Sequence, residues 1–238
     1  MKTKTKVVCW CAVTAVVLIT GTIGLMVGSK AASLKNAASR AKDIYVAIVM
    51  AGCCSEPLGQ RSVWPRQDTQ LKKMGEQADA HIADMTFNSS SDYFTVLLDG
   101  ENMDNPQIWN PYVIGLDWSS FAGSGIPPKK GAGRLTAENN IWTIAANIED
   151  DMPDDIPIIV SRNVDPASLI PGEGDISQQH VRPSGTFTTP FGNTGFVFVQ
   201  KGGKVVIGSW KKAELHLLYQ TDIQEVRTVF QTLKYLTP

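Results

Sequence analysis

The chain has 238 residues, 43% of them hydrophobic, with 22 basic side chains, 23 acidic side chains and 4 cysteines. That composition supports one medium domain with appendages or two small domains, and it excludes wholesale disorder, a collagen-like repeat, a polytopic membrane protein and a dense disulfide scaffold. The near-zero net charge hides a segregation: residues 1–52 carry seven basic groups against Asp43 alone, so residues 53–238 are net acidic, the reverse of the basic domain expected of a nucleic-acid binder.

Residues 1–6 form a basic leader with Lys2, Lys4 and Lys6, and residues 7–28 carry no charge. As a helix at about 1.5 Å per residue, that run reaches roughly 33 Å, enough for a bilayer core of about 30 Å. The leading lysines favour a cytoplasmic N-terminus. Lys30, Lys35, Arg40 and Lys42 follow the run and weaken the charge asymmetry. Two processing outcomes compete. Ser29-Lys30-Ala31 offers small residues where a signal peptidase needs them, but cleavable apolar cores run about 7–15 residues, and this longer run favours a retained transmembrane anchor.

Residues 29–52 read as an amphipathic continuation of the same helix. Ala31, Leu34, Ala38, Ala41, Tyr45 and Ile48 recur at spacings of three and four, which places them on one stripe that a sheet or neighbouring helices must cover. Gly52 is the expected stop. Cys9 and Cys11 read as packing residues of the apolar run. Cys53 and Cys54 can form a vicinal disulfide or stay as free thiols, and they lack the spacing of a redox or metal motif.

Residues 53–238 read as an exported α+β domain. A helix is expected from Asp68 to about Met85. The stretch Ser89-Ser90-Ser91-Asp92 should cap a short helix whose apolar face is Tyr93, Phe94, Leu97 and Leu98. Residues 104–133 read as an ordered loop region. Strands are expected over residues 141–148 and 157–164, with the turn-rich residues 149–155 between them. A hairpin is expected over residues 195–210, turning at Lys201-Gly202-Gly203. Asp222 should cap a last helix presenting Val226, Val229, Phe230, Leu233 and Leu236. The result is a long N-terminal helix followed by a mainly antiparallel C-terminal sheet of about four strands.

The chemistry of an enzyme is not legible. His81, His180 and His216 are scattered, and no zinc-protease, nucleophile-elbow, Walker or dinucleotide motif appears; no enzyme is expected. Glu149, Asp150, Asp151, Asp154 and Asp155 crowd one turn. Asp150, Asp151, Asp154 and Asp155 could offer oxygens to Ca²⁺, but the spacing is not that of an EF-hand and Pro153 interrupts it, so the preferred reading is a solvated acidic turn without a cofactor. Trp109 and Trp118 could hold a glycan or an exported protein; core packing is the alternative for both.

These features together carry a resemblance. A basic leader, an apolar helix running into an Ala-rich amphipathic one and a late antiparallel sheet resemble the plan of type IV pilins and type II secretion pseudopilins. The stretches AKDIYVAIVMA (41–51), SVWP (62–65), SSSDYFTVLLDGENM (89–103), GSGIPP (123–128), LTAENNIWTIAANIEDDMPDDIPIIVSRNV (135–164) and PFGNTGFVFVQKGGKVVI (190–207) are similar to pilin-like type II secretion proteins. The leader departs from the family pattern: Lys6 rather than Gly precedes the apolar run, and its fifth position is Cys11 rather than Glu. The resemblance implies a single-pass protein of a bacterial cytoplasmic membrane, anchored through residues 7–28, with residues 53–238 exported. It implies assembly with other pilin-like subunits, no catalytic residues and no nucleic acid. Some pseudopilins bind Ca²⁺ in a loop of the sheet region. The alternative expectation is an anchored glycan- or protein-binding module that forms no filament.

Overall fold

A computed structural model describes residues 32–50, 64–67, 72–73, 85–98, 118–121 and 135–238. The proposed membrane run 7–28, Ala31, Gly52, Cys53, Cys54, His81 and Trp109 lie outside the described residues. Among the described residues, no helix is long and apolar enough to cross a membrane.

The fold is α+β, built around one antiparallel sheet. Its strands are β3 (Trp142–Ala146), β4 (Pro157–Ser161), β5 (Phe196–Gln200), β6 (Val205–Gly208) and β7 (Lys234–Leu236), in the order β6-β5-β4-β3-β7. Every residue of β3, β4 and β5 is buried. Their sequences are accordingly near-continuous apolar runs rather than alternating ones, as expected when both faces of a sheet are covered.

One face is covered by helix α1, residues 32–50. Leu34, Ala38, Ala41 and Ile48 join the main core, and Tyr45 packs against it half-buried. Ala37, Ile44 and Ala47 are buried as well, so the apolar stripe is wider than the sequence spacing alone suggested. A Cβ built on Gly195 would touch Leu34 Cδ1 at 3.4 Å, whereas Tyr45 bonds at the far end of β5. Helix α1 therefore runs alongside β5 in the same direction.

The opposite face of β5 is covered by the C-terminal segment. Phe196 lies 4.8 Å from Trp210, ring centre to ring centre, and Gln200 Nε2 donates to Leu218 O at 3.0 Å. Helix α2 (Ser90–Leu98) is capped as its sequence requires: Ser89 Oγ accepts from the Asp92 N–H at 3.1 Å. Its Tyr93 and Phe94 form an aromatic chain with Phe87 and with Phe121 of the one-turn helix α3 (Trp118–Phe121). Asn140, fully buried, ties this layer to β3 by donating to Ser90 Oγ and accepting from the Trp142 N–H.

Two sequence expectations are corrected. The helix expected from Asp68 to Met85 is not what the described part of that span forms: β1 (Lys72–Lys73) pairs in parallel with β2 (Met85–Thr86). Gly75 interrupts the helical pattern there, and strand pairing competes with it. The final helix α4 (Ile223–Val229), capped by Asp222 Oδ1 on the Gln224 N–H at 2.9 Å, stops at Phe230. Leu233 and Leu236 are not on it. Leu236 instead sits opposite Ile144 in β7, which gives β3 a neighbour it would otherwise lack. The expected strands 141–148 and 157–164 and the hairpin 195–210 are present with shorter bounds.

Candidate functional site

The most constructed region is the end of the β5–β6 hairpin, held from two sides. From α1, Lys42 Nζ donates to Gly203 O at 2.7 Å and the Tyr45 hydroxyl donates to Lys201 O at 2.8 Å. The Lys42 ammonium also lies 4.8 Å from the Tyr45 ring centre, a cation–π contact that holds both side chains over the turn. Burial, and behind it the negative charge of Asp154, push the Tyr45 phenol above its usual pKa, so it remains a hydrogen-bond donor at neutral pH. Gly203 has φ +80°, and a Cβ there would lie 2.8 Å from the Tyr45 ring. The turn needs glycine both for its backbone and for this close approach.

From the other side comes the acidic turn. Lys201 Nζ donates to Asp150 O at 2.7 Å and to Met152 O at 2.6 Å. The Asp154 carboxylate lies 3.9 Å from the same nitrogen and is 84% exposed. Asp155 turns elsewhere: its Oδ2 accepts from the N–H groups of Gln220 and Thr221, at 2.6 and 2.8 Å, and caps the chain before α4. Asp150, Asp151 and Glu149 are exposed. Glu149 lies 3.5 Å from Arg66. The four residues considered for Ca²⁺ are thus adjacent in the chain but divergent in space, and among the described residues no three His, Cys, Asp or Glu side chains converge on a point. A lysine ammonium already occupies the inward-facing carbonyl oxygens of the turn.

Arg162 is a feature that the sequence reading passed over. It is 4% exposed. Nη1 donates to Ala137 O at 2.7 Å and Asn140 O at 2.9 Å, Nη2 donates to Thr189 Oγ1 at 2.6 Å, and Nε donates to Thr189 O at 3.2 Å. Phe187 covers the guanidinium at 5.1 Å. Burial holds its pKa below the ordinary guanidinium value. One side chain thereby staples the loop before β3 to the loop before β5. The only sequence signal was a charged residue inside an apolar strand run.

Two open clefts flank these elements. One, of about 580 Å³, lies between Ser33 at the start of α1 and the loop 188–194. The other, of about 390 Å³, lies between the acidic turn and α4. Neither is lined by His180 or His216. His216 Nε2 stands 3.7 Å from Glu214 Oε2, and its Nδ1 is buried with no hydrogen-bond partner among the described residues. His180 meets Glu214 only through a backbone bridge. Trp118 opens α3, and Trp142 is fully buried with its indole N–H donating to Ser120 O at 3.1 Å. No protein-family model, curated protein or solved structure matches the chain.

Proposed function

We propose that the chain is a pseudopilin-like structural subunit, anchored by residues 7–28, whose task is assembly with other pilin-like subunits rather than catalysis. The observation that carries this reading is the seating of α1. Helix α1 is laid along β5 of an antiparallel sheet, and Lys42 and Tyr45 fasten it to the hairpin. In this reading α1 continues upstream into the apolar run 7–28. From Leu34 to Tyr45 it rises about 16 Å at 1.5 Å per residue. The loop 188–194 would then lie near the membrane, and the acidic turn 149–155 would lie at the far end of the domain.

The test is the N-terminal mass of the native protein from a membrane fraction. Cleavage beside Lys6 with a methylated new terminus supports entry into a filament. An intact Met1 leaves an anchored pilin-like domain working outside a processed filament. Cleavage near Ala31 removes the anchor and refutes the mechanism. Ala38→Glu tests the seating itself: a carboxylate placed where the side chain is 8% exposed should unseat α1 and abolish association, because an unpaired buried charge is far more costly than the helix contacts it replaces. Unchanged folding and association would refute the seating.

A further inference from the structure

We propose that the free edge of β6 is a docking site for an extended peptide segment with acidic residues at its ends. Among the described residues the sheet ends at β6, which has β5 on one side and no strand on the other. Val199 pairs with Val205 and Val197 with Ile207, while Gln200 donates its N–H to Lys204 O at 2.9 Å. In an antiparallel ladder the hydrogen-bonded pairs alternate with non-bonded ones. That alternation turns the N–H and C=O groups of Val205 and Ile207 outward, and no hydrogen bond from them to another part of the chain is found among the described residues. Four backbone groups in a row can therefore take an added strand.

The side chains on this edge are permissive rather than protective. Val205 to Gly208 contains no charge, proline or bulge, the usual devices that keep sheet edges from pairing. Ile207 is 48% exposed. It shares a face with Val197, the α1 side of the sheet, yet it lies beyond the cover that α1 gives to β5. Leu217, 61% exposed, is a further uncovered apolar side chain in the segment that follows β6.

Charge selects the occupant. Lys204 precedes β6, and Lys211 and Lys212 follow it. All three are exposed, and none has an ion-pair partner among the described residues. The nearby Asp154 is engaged by Lys201. A second copy pairing edge to edge would bring two basic rims together. An apolar strand with carboxylates at both ends satisfies the backbone groups, Ile207 and the three lysines at once. This edge belongs to the sheet and is the same whether or not the chain is a filament subunit.

The experiment is fluorescence anisotropy on the full chain in detergent micelles. The probes are two labelled eight-residue peptides with the same alternating Val-Thr core, one with two acidic residues at each end and one with two lysines at each end. The acidic peptide should bind about tenfold tighter at low salt, with the gap shrinking at high salt. The triple variant K204E/K211E/K212E, altered only at exposed positions, should reverse the preference. Hydrogen exchange should show the Val205 and Ile207 amides newly protected by the acidic peptide. Equal binding of both peptides, no binding, or binding without protection of those two amides overturns the proposal. So does protection of both amides without peptide that grows with protein concentration, which would assign the edge to a second copy.

Discussion

Replacing Arg162 by Met tests whether the buried guanidinium is a staple. The substitution keeps an unbranched side chain of similar reach and removes five hydrogen bonds of 2.6–3.3 Å to Ala137, Glu138, Asn140 and Thr189. Hydrogen bonds to a charged group contribute about 1.5–3 kcal/mol each. Their simple sum overstates the effect, because the native state also bears the cost of dehydrating Arg162, and the released loop carbonyls regain water. A buried neutral group left unpaired costs about 1–3 kcal/mol, and the acceptors here lie on surface loops that can relax, so only one or two of them bear that cost. The expected loss for R162M is about 3 kcal/mol. For a chain of this size that lowers Tm by roughly 6–12 °C. Urea titration and thermal melts followed by near-UV circular dichroism measure it directly. Arg162→Lys should recover less than half, since a single ammonium cannot span both loops. A loss below about 1 kcal/mol for R162M, or a lysine variant as stable as the native protein, would refute the staple.

The hairpin clamp gives a matched comparison. Gly203→Ala should cost about 2–3 kcal/mol, because it adds contact with Tyr45 and Lys42 to a φ of +80°, while Gly174→Ala, at φ +85° with nothing within 4 Å, should cost only about 1 kcal/mol. Equal losses in denaturant titrations would mean that the clamp contributes nothing. A second expectation concerns alkaline pH. Burial raises the Tyr93 and Tyr219 phenols well above their usual pKa, so the folded chain keeps protons that the unfolded chain releases above about pH 10. The stability is intact below that pH and should fall above it by about 2.7 kcal/mol per pH unit for the two together. Absorbance of tyrosinate should then rise cooperatively with unfolding; a gradual rise before unfolding would contradict the burial. Finally, Lys201 fills the oxygens of the acidic turn, so 1 mM Ca²⁺ should leave Tm unchanged. A site with a dissociation constant near 10 µM would add about 2.7 kcal/mol, and a melt in Ca²⁺ against chelator separates the two.

What the sequence disclosed follows from how local each signal is. The Ser89 cap, the Asp222 cap and the glycine turn of the β5–β6 hairpin are decided within a few residues, and all three are present. The stripe on α1 was visible because a helix that covers a sheet repeats its apolar residues at a fixed spacing. The end of α4 was not visible. Val226, Val229, Phe230, Leu233 and Leu236 satisfy a helical spacing, and only the presence of β3, many residues earlier, makes Lys234–Leu236 a strand. Short apolar runs are ambiguous until their partner is known.

The acidic turn shows the same limit in a sharper form. The local window holds five carboxylates but not Lys201, which bonds two carbonyl oxygens of the turn and lies beside the Asp154 carboxylate. Lys201 reaches Asp150 O across fifty-one residues of sequence, and Tyr45 reaches the Lys201 carbonyl across more than a hundred and fifty. Asp155, counted with the cluster, is spent on the N–H groups of Gln220 and Thr221. The acidic turn thus brings its cation from the hairpin, and the hairpin is held in turn by α1. Shifting α1 would move Lys42 and Tyr45 off the hairpin end and loosen the turn that receives Lys201. Along this line of contacts α1 holds the hairpin end, and the hairpin end holds the acidic turn.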